Sequence, residues 1–310
     1  MRVLLFLGLG LLASASAFVE VNFDYHNEIG IPAAAKIKEN EERLLALTLH
    51  ENRIVGGAVA PANAHPYFAG LLISLVGVAG NSVCGSSLIS ASRLVGVAGN
   101  SVCGSSLISA SRLVTAAHCW RDRSNQAWQF LVILGSNQLF SGGTRIATSN
   151  VIMHPQYVNA NYNNDVAMII LPMSVWFSSN IQPISLPSGW DLWDQFVGNW
   201  AVAAGFGKIN DQQQAASTIV SHVNLQVISV AQCQAVFGIE AVISSTLCTN
   251  GAGGIGVCGG DSGGPLVLNR NGFPTLIGVT SFVAKDGCQL GHPSAFARVT
   301  SFMSFIQQYL

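Results

Sequence analysis

From position 256 to 266 the chain reads Gly-Val-Cys-Gly-Gly-Asp-Ser-Gly-Gly-Pro-Leu, and no other stretch restricts the fold so strongly. Glycines at 260, 263 and 264 permit backbone angles that a Cβ resists, so the main chain can turn sharply around Ser262. A serine hydroxyl is a poor nucleophile at neutral pH. It needs a base to take its proton and donors to receive the oxyanion formed on attack. The N–H groups of Gly260 and Ser262 are candidates for those donors. A glycine-rich turn taken alone is more often an ordinary surface turn, so the reading requires partners elsewhere.

The partners are present, in order. Val114-Thr115-Ala116-Ala117-His118-Cys119 supplies a histidine beside a cysteine, and Asn164-Asp165 opens the apolar run Val166 to Leu171. Arg53 precedes Ile54-Val55-Gly56-Gly57. With Gly-Asp-Ser-Gly-Gly-Pro, these segments resemble the histidine, aspartate, serine and activation motifs of the chymotrypsin-like (trypsin-fold) serine proteases, and they span nearly all of 54–310. The resemblance implies an all-β fold of two six-stranded antiparallel β-barrels with a C-terminal helix, the boundary between barrels near 175–185. It implies His118, Asp165 and Ser262 as catalytic residues, with Gly260 and Ser262 forming the oxyanion hole. It also implies that cleavage after Arg53 frees the ammonium of Ile54, which pairs with Asp261 and shapes that hole. Ser281 stands where the family has a serine bonded to the aspartate, on a segment that pairs with substrate backbone. No cofactor is required.

By the same resemblance, Gly256 lies at the base of the primary pocket, with Val283 and Ser294 as walls. Trypsin-like members carry an aspartate at the base; without it, a lysine or arginine side chain enters unpaired at a cost of several kcal/mol. Val283 narrows the slot, as in elastase-like members. The strings around Ser281, Cys288 and Phe296 to Val299 look most like insect midgut chymotrypsins and collagenase-like relatives. The implied activity is digestive endopeptidase action after apolar or aromatic residues. The alternatives are elastase- or collagenase-like specificity, and a non-catalytic homologue acting as a binding protein. Partners implied are protein and peptide substrates, an activating trypsin-like protease and protease inhibitors; a monomer is expected.

The chain begins with Arg2, an apolar run from Val3 to Ala13 and the small-x-small ending Ala15-Ser16-Ala17. This predicts a secretory signal over 1–17, too short for a membrane span. Secretion is expected from this, and the resemblance implies the gut lumen as destination. Residues 18–53 hold seven acids against four bases, with helical spacing at Ile37, Leu44 and Leu47. They read as a propeptide. Without a cysteine, it cannot stay tethered by a disulfide and is expected to leave on activation. After position 53 the chain has nine bases, only two of them lysine, and eight acids, so it carries no nucleic-acid footprint. Arginine keeps its charge in an alkaline lumen better than lysine does. No membrane anchor follows, and the histidines other than His118 are expected to be surface or structural.

Residues 77–95 recur identically as 96–114. One exact copy is unlike an architectural repeat, which needs several units to bury a core. A recent local duplication and a sequence-assembly error both explain it. The seven cysteines include Cys84, the image of Cys103, and an odd number is unexpected in a secreted protein. With one copy removed, the resemblance implies the pairs Cys103–Cys119, Cys233–Cys248 and Cys258–Cys288. A metal site is disfavoured, since close Cys-x-x-Cys spacing is lacking. Short strands at 68–75, 128–134, 165–171, 200–205, 223–230, 265–268 and 276–282, with turn residues between them, agree with barrels. Residues 300–310 place Phe302, Phe305, Ile306, Tyr309 and Leu310 on one helical face.

Overall fold

The computed structural model describes residues 18–46, 56–77, 100–212, 217, 219–270 and 272–310. The expected signal, the Arg53–Ile54 junction and Cys84 lie outside the described residues. Strands in chain order are β1 (Ala58–Val59), β2 (Phe68–Leu75), β3 (Asn100–Ser109), β4 (Arg112–Thr115), β5 (Ala127–Leu134), β6 (Thr144–Thr148), β7 (Val151–Met153) and β8 (Ala167–Ile170). The second half contributes β9 (Trp200–Gly205), β10 (Ser221–Ile228), β11 (Thr246–Thr249), β12 (Pro265–Arg270), β13 (Phe273–Phe282) and β14 (Ser294–Arg298). Helices are α1 (Ile31–Ala46), α2 (Val230–Phe237) and α3 (Met303–Gln308).

The strands form two antiparallel barrel-like sheets, as the sequence predicts. One has the order β6-β5-β2-β3-β4-β8-β7. In the other, six strands close on themselves through a β9–β10 pairing, with the short β1 added outside β10. Closure removes the unpaired edges that invite association with other chains. Leu71, Ile73, Leu107 and Leu113 fill the first core, and Ala203, Leu225, Leu247 and Phe296 the second.

Two helical details depart from the sequence expectation. The strand expected to run to Val230 stops at Ile228, because Ser229 caps α2: its side chain accepts from the Gln232 N–H while the Gln232 side chain reaches back to the Ser229 N–H. This capping box satisfies two otherwise orphaned donors and starts a helix where hydrophobicity alone suggested a strand. At the C-terminus Phe302, Phe305 and Ile306 are buried as expected, but α3 ends at Gln308 and Leu310 is 52% exposed.

The strands described within the duplicated sequence, β3 and most of β4, both come from the 96–114 copy. β2 pairs with β3 from Phe68↔Ser106 to Ser74↔Asn100, so β3 is drawn from the 96–114 copy, and its Cys103 is bonded to Cys119. Deleting Gly77 to Val95 therefore leaves every β2–β3 pair in place, and loop-closure entropy changes by only about 1 kcal/mol. The deleted protein is expected to keep its fold and activity and to lose any Cys84-dependent dimer on a non-reducing gel. Loss of folding on deletion would show that the 77–95 copy is needed.

Candidate active site

β4 and β8 are antiparallel neighbours with Thr115 opposite Ala167. That pairing brings two chain ends together: the 3-10 turn Ala117–Cys119, just after β4, and Asp165, just before β8. Asp165 accepts from the His118 backbone N–H through Oδ1 at 2.8 Å and from His118 Nδ1 through Oδ2 at 2.7 Å. Ser281 Oγ donates to the same Oδ2 at 2.6 Å. An ionised carboxylate only accepts, so Nδ1 carries a proton and Nε2 is left as the basic nitrogen. Both side chains are buried, and the Cys103–Cys119 disulfide ties the histidine turn to β3. Tyr162 stacks on the imidazole, with centroids 4.6 Å apart and planes 8° from parallel. Sequence reasoning missed Tyr162; no motif marks it.

Ser262 sits on the turn ahead of β12. Its carbonyl accepts from the Gly104 N–H at 2.7 Å, while the Gly263 N–H donates to Thr280 at 2.8 Å, so the turn is stitched to both sheets. Gly260 has φ +105°, a conformation that side-chain-bearing residues rarely adopt. Asp261 points inward, and its carboxylate accepts from Gly207 at 2.7 Å and from Cys258 at 2.9 Å. Burial pushes its pKa up to about 6. Among the described residues no cation pairs with it.

Beside Ser262 lies a cavity of about 330 Å³ walled by Val257, Cys258, Phe282, Val283 and Cys288. Gly256 and Ser294 meet behind Val257: a Cβ on Gly256 would lie 2.8 Å from Ser294 Oγ, and that oxygen accepts from the Val257 N–H at 3.3 Å. Three carboxylates reach the lining: Glu28 of the N-terminal segment, Asp286, which faces His292 at 3.4 Å, and Asp211, whose oxygens accept from the Cys288 and Gln289 N–H groups at 2.7 and 2.9 Å. Further disulfides join Cys258 to Cys288 and Cys233 to Cys248. His118 with Cys103 and Cys119, and Asp211 with Cys258 and Cys288, cluster at metal-ligand distances. All four sulfurs are in S–S bonds and offer no thiolate.

The cleft is occupied by the chain's own N-terminal segment. Glu20 accepts from Lys285, and Val21 bridges Ala284, extending the edge just past β13. Tyr25 lies over the centre, its ring centroid 4.8 Å from that of His118 and its hydroxyl donating to the Val102 carbonyl at 2.7 Å. The same oxygen meets the Ser262 side chain and the Gly260 N–H. His26, expected at the surface or in a structural role, is buried in the cleft. Its Nδ1 is 2.9 Å from Ser101 Oγ, its N–H donates to Asp122, and desolvation lowers its pKa to about 4. Nothing in the sequence of 18–53 signals this docking.

The trypsin family model matches residues 54–306. A collagenase of Hypoderma lineatum is 36% identical over 84% of this chain and 88% of its own length, and brachyurin of Leptuca pugilator is 34% identical over 82% and 97%. The solved structure named HL collagenase superposes with a TM-score of 0.69 at 35% identity, over 82% of this chain and 97% of that one. The family model spans most of the chain and these relatives exceed 30% identity over more than four-fifths of it, so the chain belongs to the trypsin family of serine endopeptidases.

Proposed function

We propose that the chain is a secreted digestive zymogen whose 54–310 part cleaves peptide bonds after apolar or aromatic residues. In this reading 1–17 is a signal peptide, 18–53 a propeptide, and a trypsin-like protease activates the chain by cutting after Arg53. Ser262 Oγ attacks the scissile carbonyl, and His118 Nε2 takes its proton and returns it to the leaving amine. Asp165, held by Ser281, fixes the tautomer and steadies the imidazolium; Gly260 and Ser262 N–H groups receive the oxyanion.

The observation carrying the specificity is the cavity beside Ser262. Its apolar walls include Val283; of the two carboxylates of the 54–310 part that line it, Asp211 is engaged by backbone donors and Asp286 faces His292 at 3.4 Å. A basic side chain entering it would meet Lys208 and Lys285 in the same lining and, with glycine at position 256, no carboxylate at that position. A fluorogenic peptide series on Arg53-cleaved protein should give turnover after Phe, Tyr, Leu and Met and little after Arg or Lys. Val283→Gly should shift the preference toward the bulkiest aromatics by about tenfold, the scale of a few methylenes in a pocket. Unchanged Phe/Leu/Ala ratios would remove Val283 from the pocket wall. The name of the Hypoderma lineatum relative favours a second reading, cleavage of collagen, and native collagen in the same assay separates it.

A further inference from the structure

We propose that residues 18–46 are an inhibitor of this protease in their own right, a cleft-bound mimic of a substrate that keeps Ser262 covered after the chain is cut behind it. Release of the segment, and not cleavage alone, then switches activity on. The inference rests on activation by cleavage after Arg53.

Direction and register come first. Val21 pairs antiparallel with Ala284, and Glu20 accepts from Lys285 at 2.8 Å. Carried on in extended form, this register would set Asp24 opposite Ser281 and deliver the next peptide bond to Ser262. The segment therefore enters along the edge, and in the direction, that the proposed substrate uses. It then leaves the extended path before it can be cut. Asp24 N–H turns back to Asn22 Oδ1 at 2.9 Å, Glu28 N–H donates to the Asp24 carbonyl at 3.2 Å, and Tyr25 is already helical at φ −56°, ψ −48°. The Asp24 carbonyl is drawn into that helical bond rather than offered to the Gly260 N–H. That donor meets the phenol oxygen of Tyr25 instead, which also touches the Ser262 side chain. The nucleophile, its base and an oxyanion donor are thus covered by one side chain that presents no scissile bond.

The far end explains why the segment should stay. Ile29 sits on Gly259, and Gly30 passes so close to Ser101 that a Cβ there would lie 1.8 Å from its Oγ. Ala33, Ala34 and Ile37 of α1 are buried in one cluster with Phe68, Val102 and Phe206. Glu41, also buried, accepts from the Leu139 and Phe140 N–H groups at 2.7 and 3.1 Å. The contacts run from residue 19 to residue 41, all upstream of Arg53, so a cut after Arg53 breaks none of them. An occupant held only by non-covalent contacts obeys mass action, and its hold weakens on dilution.

The test uses the full chain cut after Arg53, with product masses checked and the activating protease blocked. Peptide hydrolysis and the rate of Ser262 labelling by a fluorophosphonate are followed from about 10 μM to about 1 nM enzyme, a range spanning common peptide affinities. Activity per mole should rise by about 100-fold on dilution, with a lag, and the segment should co-elute with the enzyme at the concentrated end. Gly30→Val with Glu41→Ala, both away from the reacting atoms, should abolish the concentration dependence and reach the same final rate. Should that variant misfold, the wild-type dilution series alone decides. Full activity at every concentration immediately after the cut, or an enzyme peak free of the segment, would overturn the inference and leave activation by cleavage standing. A dissociated segment with no labelling at any dilution would overturn both.

Discussion

Replacing Ser262 or His118 with alanine is expected to lower kcat by about 10^5 to 10^6, and replacing both is expected to be little worse than either alone. These magnitudes are carried over from serine–histidine–aspartate arrangements in general. The non-additivity is what this geometry adds. Nδ1 of His118 is committed to Asp165, so its only catalytic outlet is Nε2, and without the serine that nitrogen has no proton to take. Pre-steady-state labelling and peptide turnover on the Arg53-cleaved single and double variants provide the measurement. Losses that multiplied would mean the two residues act separately and that the proposed roles are wrong.

Asp261→Asn is expected to remove about 10^3-fold of the activity of the cleaved protein, the scale of a lost oxyanion donor. The same change should alter the uncut chain differently. There the carboxylate is buried against two N–H groups with a pKa near 6, above its ordinary value, so the folded state holds its proton more tightly than the unfolded chain does. Stability from this group is complete below about pH 4 and falls as pH rises through about 6, by up to about 3 kcal/mol. Urea unfolding of the uncut protein should show that fall in the wild type and a smaller one in Asp261→Asn, the difference isolating this carboxylate from His26 and Glu41. After cleavage the Ile54 ammonium should abolish it. Equal pH profiles for the wild type and the variant before cleavage, or full activity of the cleaved variant, would refute the switch.

The residues proposed to carry chemistry were legible because each lies in a short string whose local conformation serves it. The glycines around Ser262 make their turn without help, and Asp165 announces itself by opening an apolar strand. Their convergence was less direct: Thr115 opposite Ala167 is a pairing between distant strands, visible only through family resemblance. Two kinds of information escaped. Ser229 started α2 by side-chain hydrogen bonds that outweighed the β-preference of Val227 to Val230. Docking of 18–46 depends on shape, on Gly30 clearing Ser101 and on a phenol matching donors built by residues more than 230 positions away, and no local pattern encodes it. Of the face predicted from Ile37, Leu44 and Leu47, Ile37 is buried beside Ala33 and Ala34, with α1 starting earlier than expected.

The hairpin of β2 and β3 carries a last consequence. Its ladder pins Ser74 against Asn100, so a lineage can lengthen or shorten the stretch between them by whole duplications without shifting one cross-strand pair. The end of that stretch opens directly onto Ser101 and Val102, the residues that hold His26 and Tyr25. Length variation at this position therefore leaves the strand register, and with it the residues that hold His26 and Tyr25, where they are.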